Sequence, residues 1–392
     1  MRRVYFDNNA TTPLAPEVFE AMRPYLVEDF GNASSIHWYG QRAKAAIETA
    51  REQVAKLLHA RPSEIVFTSG GTESDNAAIL GIVEASRYQT KHVITTTIEH
   101  QAVLSTARAI EKRGASVTCV RVGSNGIVDP ADIERAIRPD TVLISVMHAN
   151  NELGTIQPLE EIGRIARERD VYFHSDAVQS AGKIPVDVEK FGIDLLALSA
   201  HKLYGPKGVG ALYVRKGTIL KPLIHGGHDE RDRRPGTENV AGIVGLGKAT
   251  EIAREHMAEE AVRLAALRDR LEAGILGAVP LATINGDRAH RMPTVTNIRF
   301  DHTEGEGFVI ALDLRGIACS TGAACSSGSV EPSHVLTAIG LKHEQARSSI
   351  RFSLGRFNDD ADVDAALGVL PAVVERLRAV SPNYKVPMTS DK

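Results

Sequence analysis

Between about residue 40 and about residue 215, short apolar and β-branched runs alternate with longer amphipathic stretches. The runs Glu64–Thr68, His92–Thr97, Ser116–Val120, Thr141–Met147, Val171–Phe173, Leu195–Ser199 and Gly210–Val214 have strand length. Between them, Gln41–Leu58, Asp75–Ser86, Ala102–Arg113 and Leu159–Glu168 repeat apolar positions near the helical period. That alternation predicts βαβ units, an α/β fold, and a mostly parallel seven-stranded sheet covered by helices on both faces. After Gly236 the rhythm changes to a long helix ending near Gly277, strand pieces at Thr294–Phe300 and Ser348–Ser353, and a last helix over Asp360–Ala379. A smaller α+β domain is expected there. The predicted division is a large domain over 14–250 and a small one made of 1–13 together with 251–392.

The chain has 392 residues, more than one hydrophobic core usually organises, which supports two domains. Its 43% hydrophobic and 24% charged residues are those of an ordinary globular protein. A formal net charge of -3 argues against nucleic acid as a direct partner. No apolar run approaches bilayer length and the N-terminus lacks the apolar stretch of a signal peptide, so no membrane partner and a cytoplasmic location are expected. Three cysteines, Cys119, Cys319 and Cys325, are too few and too irregular for a disulfide framework, and no Cys-x-x-Cys pair suggests a metal.

Ligands in open α/β sheets bind beyond the carboxyl ends of the strands, so the polar residues that follow each apolar run are the candidates. After Thr68 comes Ser-Gly-Gly-Thr-Glu-Ser-Asp (69–75), a glycine turn opening a helix that offers backbone N–H groups and Thr72 to an anion. A plain tight turn fits that segment equally well. Lys202 follows the apolar strand Leu195–Ser199, where partial burial lowers its pKa and frees a neutral amine for a Schiff base. Ser199 and His201 then hold the phosphate of the same cofactor. Asp176 would meet the pyridinium nitrogen of pyridoxal phosphate, its alternative being a helix N-cap. Gln179, three residues on, and Asn151 face the phenolic oxygen, and His100 stacks on the ring. Turn chemistry for Asn151 and a structural role for His100 remain open.

The motifs Tyr-Phe-Asp-Asn-Asn-Ala-Thr-Thr-Pro (5–13), Gly-Asn-Ala-Ser-Ser-Ile-His (31–37), Gly-Gly-Thr-Glu-Ser (70–74), Ile-Glu-His (98–100), His-Ser-Asp-Ala-Val-Gln (174–179) and Ser-Ala-His-Lys (199–202) span nearly the whole chain. Through them the sequence resembles the cysteine desulfurases of the NifS/IscS branch, in the class V aminotransferase group of fold-type I pyridoxal-phosphate enzymes. The resemblance implies that Lys202 carries the cofactor, Asp176 pairs with its ring nitrogen and His100 stacks on it. It further implies phosphate contacts from Gly71, Thr72, Ser199 and His201, and phenolic-oxygen contacts from Asn151 and Gln179. The stretch Arg-Pro-Gly-Thr-Glu-Asn (234–239) implies a homodimer in which Thr237 reaches the partner's phosphate.

What separates a desulfurase from the rest of the group is Ser-Thr-Gly-Ala-Ala-Cys-Ser-Ser-Gly-Ser-Val-Glu-Pro-Ser-His (320–334), with Cys325 among small residues. So few packing side chains predict a mobile loop over about 320–332 that carries the catalytic cysteine. Cys119 and Cys319 are expected to be small buried thiols. By resemblance, Arg351 clamps the substrate carboxylate beside Asn151, a task suited to a two-pronged donor. Lys202 and His100 move protons, and Cys325 takes sulfur from L-cysteine, releasing L-alanine. The persulfide then passes to an acceptor protein such as an iron–sulfur scaffold or a tRNA-thiolation enzyme. A selenocysteine lyase or an aminotransferase of the same fold is the rival reading.

Overall fold

The computed structural model describes residues 2–321 and 332–381. The apolar runs of the first half assemble into one seven-stranded sheet. In space the order is Ile65–Thr68, Gly210–Val214, Leu195–Ser199, Tyr172–Asp176, Thr141–Ser145, His92–Thr96 and Ser116–Val120. Gly210–Val214 runs antiparallel to both neighbours and every other pairing is parallel. The first strand therefore points the same way as the five parallel ones, and six carboxyl ends share one edge.

Strands buried on both faces need apolar residues at nearly every position, and Leu195–Ser199 is buried throughout. Leu196 and Leu198 join Ile47, Val54 and Leu58 of the helix Trp38–Leu58 on one face. Leu195 joins Ile79, Ile82 and Val103 on the other. The seven-stranded α/β architecture expected from the alternation is thus present.

Three local expectations need correction. Tyr172–Asp176 extends past the apolar Val171–Phe173, because the polar His174, Ser175 and Asp176 are buried within the strand rather than following it. His174 Nδ1 is satisfied there by Ser145 Oγ of the adjacent strand at 2.8 Å. The helix predicted from Asp75 begins at Gly71, so the glycine turn is itself the first helical turn. Cys119 is exposed rather than buried, since Ser116–Val120 is the sheet's edge strand.

A second core lies around the antiparallel sheet Ala282–Ile284, Val295–Phe300 and Ser349–Ser353. Phe300, Phe308, Ile350, Phe352 and Leu370 pack there, together with the buried Cys319. The helix Val240–Ala278 is continuous between the two cores: Ile243 and Leu246 belong to the first, Leu264, Leu271 and Ile275 to the second.

The N-terminal segment also joins the two cores. Val4–Tyr5 pairs in parallel with Ile317–Ala318. Asn8 N then donates to Ser353 O, and Thr12 N donates to His201 O. Residues 7–12 consequently lie between the small sheet and the Lys202 turn. Among the described residues no helix is long and apolar enough to cross a membrane.

Candidate active site

At the shared carboxyl edge the sheet opens into a cavity of 430 Å³. Its lining includes Gly71, Thr72, His100, Asn151, Asp176, Gln179, Ser199, His201, Lys202 and Arg351. One cavity therefore gathers every candidate except two. Thr237 is exposed on the segment that follows Gly236 and is not part of this lining. Cys325 lies outside the described residues; Ser320, just before that stretch, lines the cavity.

Lys202 ends a short 3-10 turn, Ala200–Lys202, immediately after its strand. The ammonium donates to Asn9 O at 2.5 Å and Ala10 O at 2.6 Å, both in the N-terminal segment. Burial, aided by the Arg351 charge, lowers its pKa to about 8. Carbonyl acceptors stabilise the charged amine far less than a carboxylate would, so the neutral form is accessible near neutral pH.

Asp176, at the end of its strand, is buried and accepts from Val178 N at 2.9 Å. Burial raises its pKa, opposed by His100 and Lys202. Asp75 is driven the same way by burial and by the Asp176 and Glu99 carboxylates. Among the described residues Asp75 Oδ1 has no hydrogen-bond partner, and neither does His174 Nε2, 3.5 Å away. Two buried carboxyls, one with an oxygen that accepts no hydrogen bond, favour a ligand that brings positive charge.

His100 caps the helix Gln101–Glu111, its Nδ1 accepting from Ala102 N at 3.1 Å. The neutral ring therefore carries its proton on Nε2. Burial lowers its pKa, with Lys202 and His334 acting in the same sense. Gln179 Nε2 donates to Asn9 O at 3.0 Å.

Arg351 sits in the buried strand Ser349–Ser353 and is itself buried. Its Nη2 donates to Asp7 Oδ1 at 2.6 Å and Nη1 to Asn151 O at 3.2 Å, while Nε has no partner among the described residues. A surface position, the ordinary expectation for an arginine in an alternating strand, is excluded by this burial.

The opposite end is built for an anion. Gly70 has φ +153° and ψ -176°, a region open essentially to glycine alone. A Cβ on Gly71 would meet Val178 Cγ2 at 2.6 Å, so the helix start has to stay bare. First-turn N–H groups lack intrahelical acceptors and carry the positive end of the helix dipole. Thr72, Ser199, His201 and the exposed Lys207 surround an adjoining space of 420 Å³. His201 Nδ1 is 3.0 Å from Thr11 Oγ1, and burial beside Lys202 lowers its pKa to about 4. An anion cradle, an amine and a buried acid around one cavity fit a phosphorylated pyridine aldehyde.

Sequence reasoning passed over Asp7, Asn9 and Ala10 as chemistry, although the motif 5–13 contains them, because a carbonyl acceptor leaves no side-chain signature. It also missed Asp75 and Lys183, which carry no spacing signal.

Residues 4–366 match the aminotransferase class-V family. A protein named cysteine desulfurase IscS from Dictyoglomus turgidum is 53% identical over 384 residues, covering 98% of this chain and 97% of that one. Another of that name from Methanosarcina thermophila is 54% identical over 381 residues, covering 97% and 94%. A solved NifS-like protein superposes with a TM-score of 0.90 at 40% identity, over 96% of this chain and all of the other. The structure of SspA in complex with cysteine gives 0.81 at 42% identity, covering 90% and 98%.

Proposed function

The chain belongs to the class-V aminotransferase family, and from that premise we propose that it is a pyridoxal-phosphate cysteine desulfurase, converting L-cysteine to L-alanine and a Cys325 persulfide. One observation carries the reading: Lys202, Asp176 and Arg351, an amine, an acid and a carboxylate clamp, line a single cavity beside an anion cradle.

In this reading Lys202 tethers the cofactor, Asp176 meets its ring nitrogen, and Gly71, Thr72, Ser199 and His201 hold its phosphate. Asn151 and Gln179 flank its phenolic oxygen, and His100 stacks on the ring. Bound there, pyridoxal phosphate supplies an electron sink for negative charge at the substrate's Cα. The Lys202 amine, neutral in part because of its lowered pKa, takes the Cα proton at Nζ. Arg351 exchanges Asp7 for the substrate carboxylate, which its fork can grip with two parallel bonds. His100 donates or accepts a proton at Nε2. Cys325 Sγ bonds to the substrate sulfur as the Cβ–S bond breaks, and the electron pair left on Cβ takes up a proton to complete the methyl group of alanine. The thiol lost and the persulfide gained balance without an external oxidant.

A homodimer belongs to the same reading, with Thr237 acting on the partner's phosphate. Supporting it, Phe30, Ile36 and Trp38 are 73%, 94% and 61% exposed, an apolar display that a monomer seldom leaves uncovered. Residues 14–250 would form the cofactor-binding domain, and 1–13 with 251–392 the small domain. Cytoplasmic location and transfer to an iron–sulfur scaffold or a tRNA-thiolation enzyme complete the proposal.

The test is to load purified protein with pyridoxal phosphate, add L-cysteine and a reductant, and quantify alanine and sulfide. Equal yields are expected. Alanine formed only when pyruvate is supplied to accept the amino group would identify an aminotransferase and overturn the assignment.

A further inference from the structure

Lys183 is a charged side chain that the chemistry above leaves without a task. It is partly buried, follows the buried Gly182, and sits four residues beyond Gln179. Its ammonium donates to Gln179 Oε1 at 3.4 Å. The other end of the same amide donates to Asn9 O at 3.0 Å, the carbonyl that also receives Lys202.

While Lys183 is charged, those two neighbours are one-way groups: an ammonium can only donate, and a backbone carbonyl can only accept. The Gln179 amide therefore fits one way round, oxygen toward Lys183 and nitrogen toward Asn9. The second Nε2 hydrogen remains for the cavity that Gln179 lines. We propose that Lys183 is a positioning residue which locks the Gln179 amide, so that a donor and not an acceptor meets the phenolic oxygen of the cofactor. This rests on the cofactor reading given above.

The surroundings of Lys183 support that task. Besides Gln179 it borders a small cavity of about 20 Å³, room for one water, shared with Lys202, Tyr204, Thr294, Glu260 and Arg356. Thr294 Oγ1 has no partner among the described residues. The Glu260 carboxylate is engaged by Arg356 at 2.5 Å. Burial and the positive charges of Lys202 and Arg351 lower the Lys183 pKa to about 7. Among the described residues no ion pair neutralises its charged form, and the Gln179 amide oxygen is the side-chain acceptor it meets.

The experiment is a spectrophotometric pH titration of the holoenzyme, loaded with pyridoxal phosphate and free of substrate. Lys183→Met should raise the pH midpoint of the cofactor's visible band by about one unit, because a fixed donor and a nearby positive charge both favour the phenolate. In a Gln179→Leu background the same substitution should shift the midpoint by less than half as much. Lys183→Gln, which removes the charge but keeps a polar side chain, replaces the Met variant if that one does not fold. An unmoved midpoint, or equal shifts in both backgrounds, would overturn the positioning role. A wild-type protein that develops no band would instead overturn the cofactor reading itself.

Discussion

The cavity has an acidic wall and a basic wall, and burial drives them in opposite directions toward the same neutral state. On the acidic side, Asp75 and Asp176 line the cavity, and Glu99, outside that lining, acts on Asp75 through its charge; all three have raised pKa values, Glu99 to about 8. On the basic side, Lys202 lines the cavity and Lys183 borders the smaller one that shares Lys202; they are lowered to about 8 and about 7. Desolvation is the first cause in every case. The walls differ in how they are held. The basic one leans on the N-terminal segment, through the carbonyls of Asn9 and Ala10 and the Asp7 carboxylate. Among the described residues, the acidic one ends in an Asp75 Oδ1 that accepts no hydrogen bond. A ligand that brings a ring cation to Asp176 supplies the counter-charge that the acidic wall lacks, while the basic wall keeps an amine ready to react. That asymmetry is what a Schiff-base enzyme requires.

The most drastic way to break the comparison is Lys202→Ala. It should abolish both the visible band formed with pyridoxal phosphate and alanine production, with the far-ultraviolet circular dichroism unchanged. Turnover at the wild-type rate would remove Lys202 from its assigned role. Arg351→Lys keeps the charge of the basic wall but loses the fork. L-Cysteine binding should weaken by about 1–3 kcal/mol, the range for hydrogen bonds to charged groups, read as a rise in KM. An unchanged KM would mean that the carboxylate binds elsewhere.

The smallest effect concerns stability. Folded Glu99, at about 8, binds a proton that the unfolded chain, near about 4.3, releases. Its contribution is present at low pH and is lost as pH rises through that window. Lys202 and Lys183 act with the opposite sign: between about pH 7 and about pH 10.4 the unfolded chain holds more protons, so their contribution grows as pH rises. Cofactor-free protein should therefore receive least stability from these groups near neutral to slightly alkaline pH. Glu99→Gln should flatten the fall in melting temperature between pH 5 and about 8, leaving the alkaline side as it was. An identical pH profile for variant and wild type would contradict the account of the acidic wall.

The fold was readable where burial and sequence pattern agree. Leu195–Ser199 and Gly210–Val214 lie within the sheet as uniformly buried apolar strands, and their bounds follow from the sequence alone. Legibility failed where tertiary partners override propensity. His174, Ser175 and Asp176 are too polar to suggest a strand, yet they end one: their backbone pairs with the neighbouring strands, Ser145 Oγ meets His174 Nδ1, and Val178 N donates to Asp176. The helix Pro16–Val27 went unread: Val18 and Met22 alone form its buried stripe, while the apolar Leu26 and Val27 are 56% and 67% exposed and blur it. For the site, side chains at strand ends were visible from the sequence. The backbone acceptors Asn9 O and Ala10 O, and the Asp7 partner of Arg351, depend on the N-terminal segment crossing between the two cores, which no local pattern encodes.

The central claim is that the sulfur of L-cysteine moves onto Cys325, and a brief L-cysteine pulse followed by peptide mass spectrometry tests it most directly. Wild-type protein should carry one added sulfur on the Cys325 peptide, with an equal amount of alanine in solution. Cys325→Ser should carry none and form no alanine, while its cofactor spectrum still responds to L-cysteine, since a hydroxyl ionises too weakly to attack sulfur. Sulfur mapped to Cys119 or Cys319, or alanine formed by Cys325→Ser at the wild-type rate, would contradict the claim.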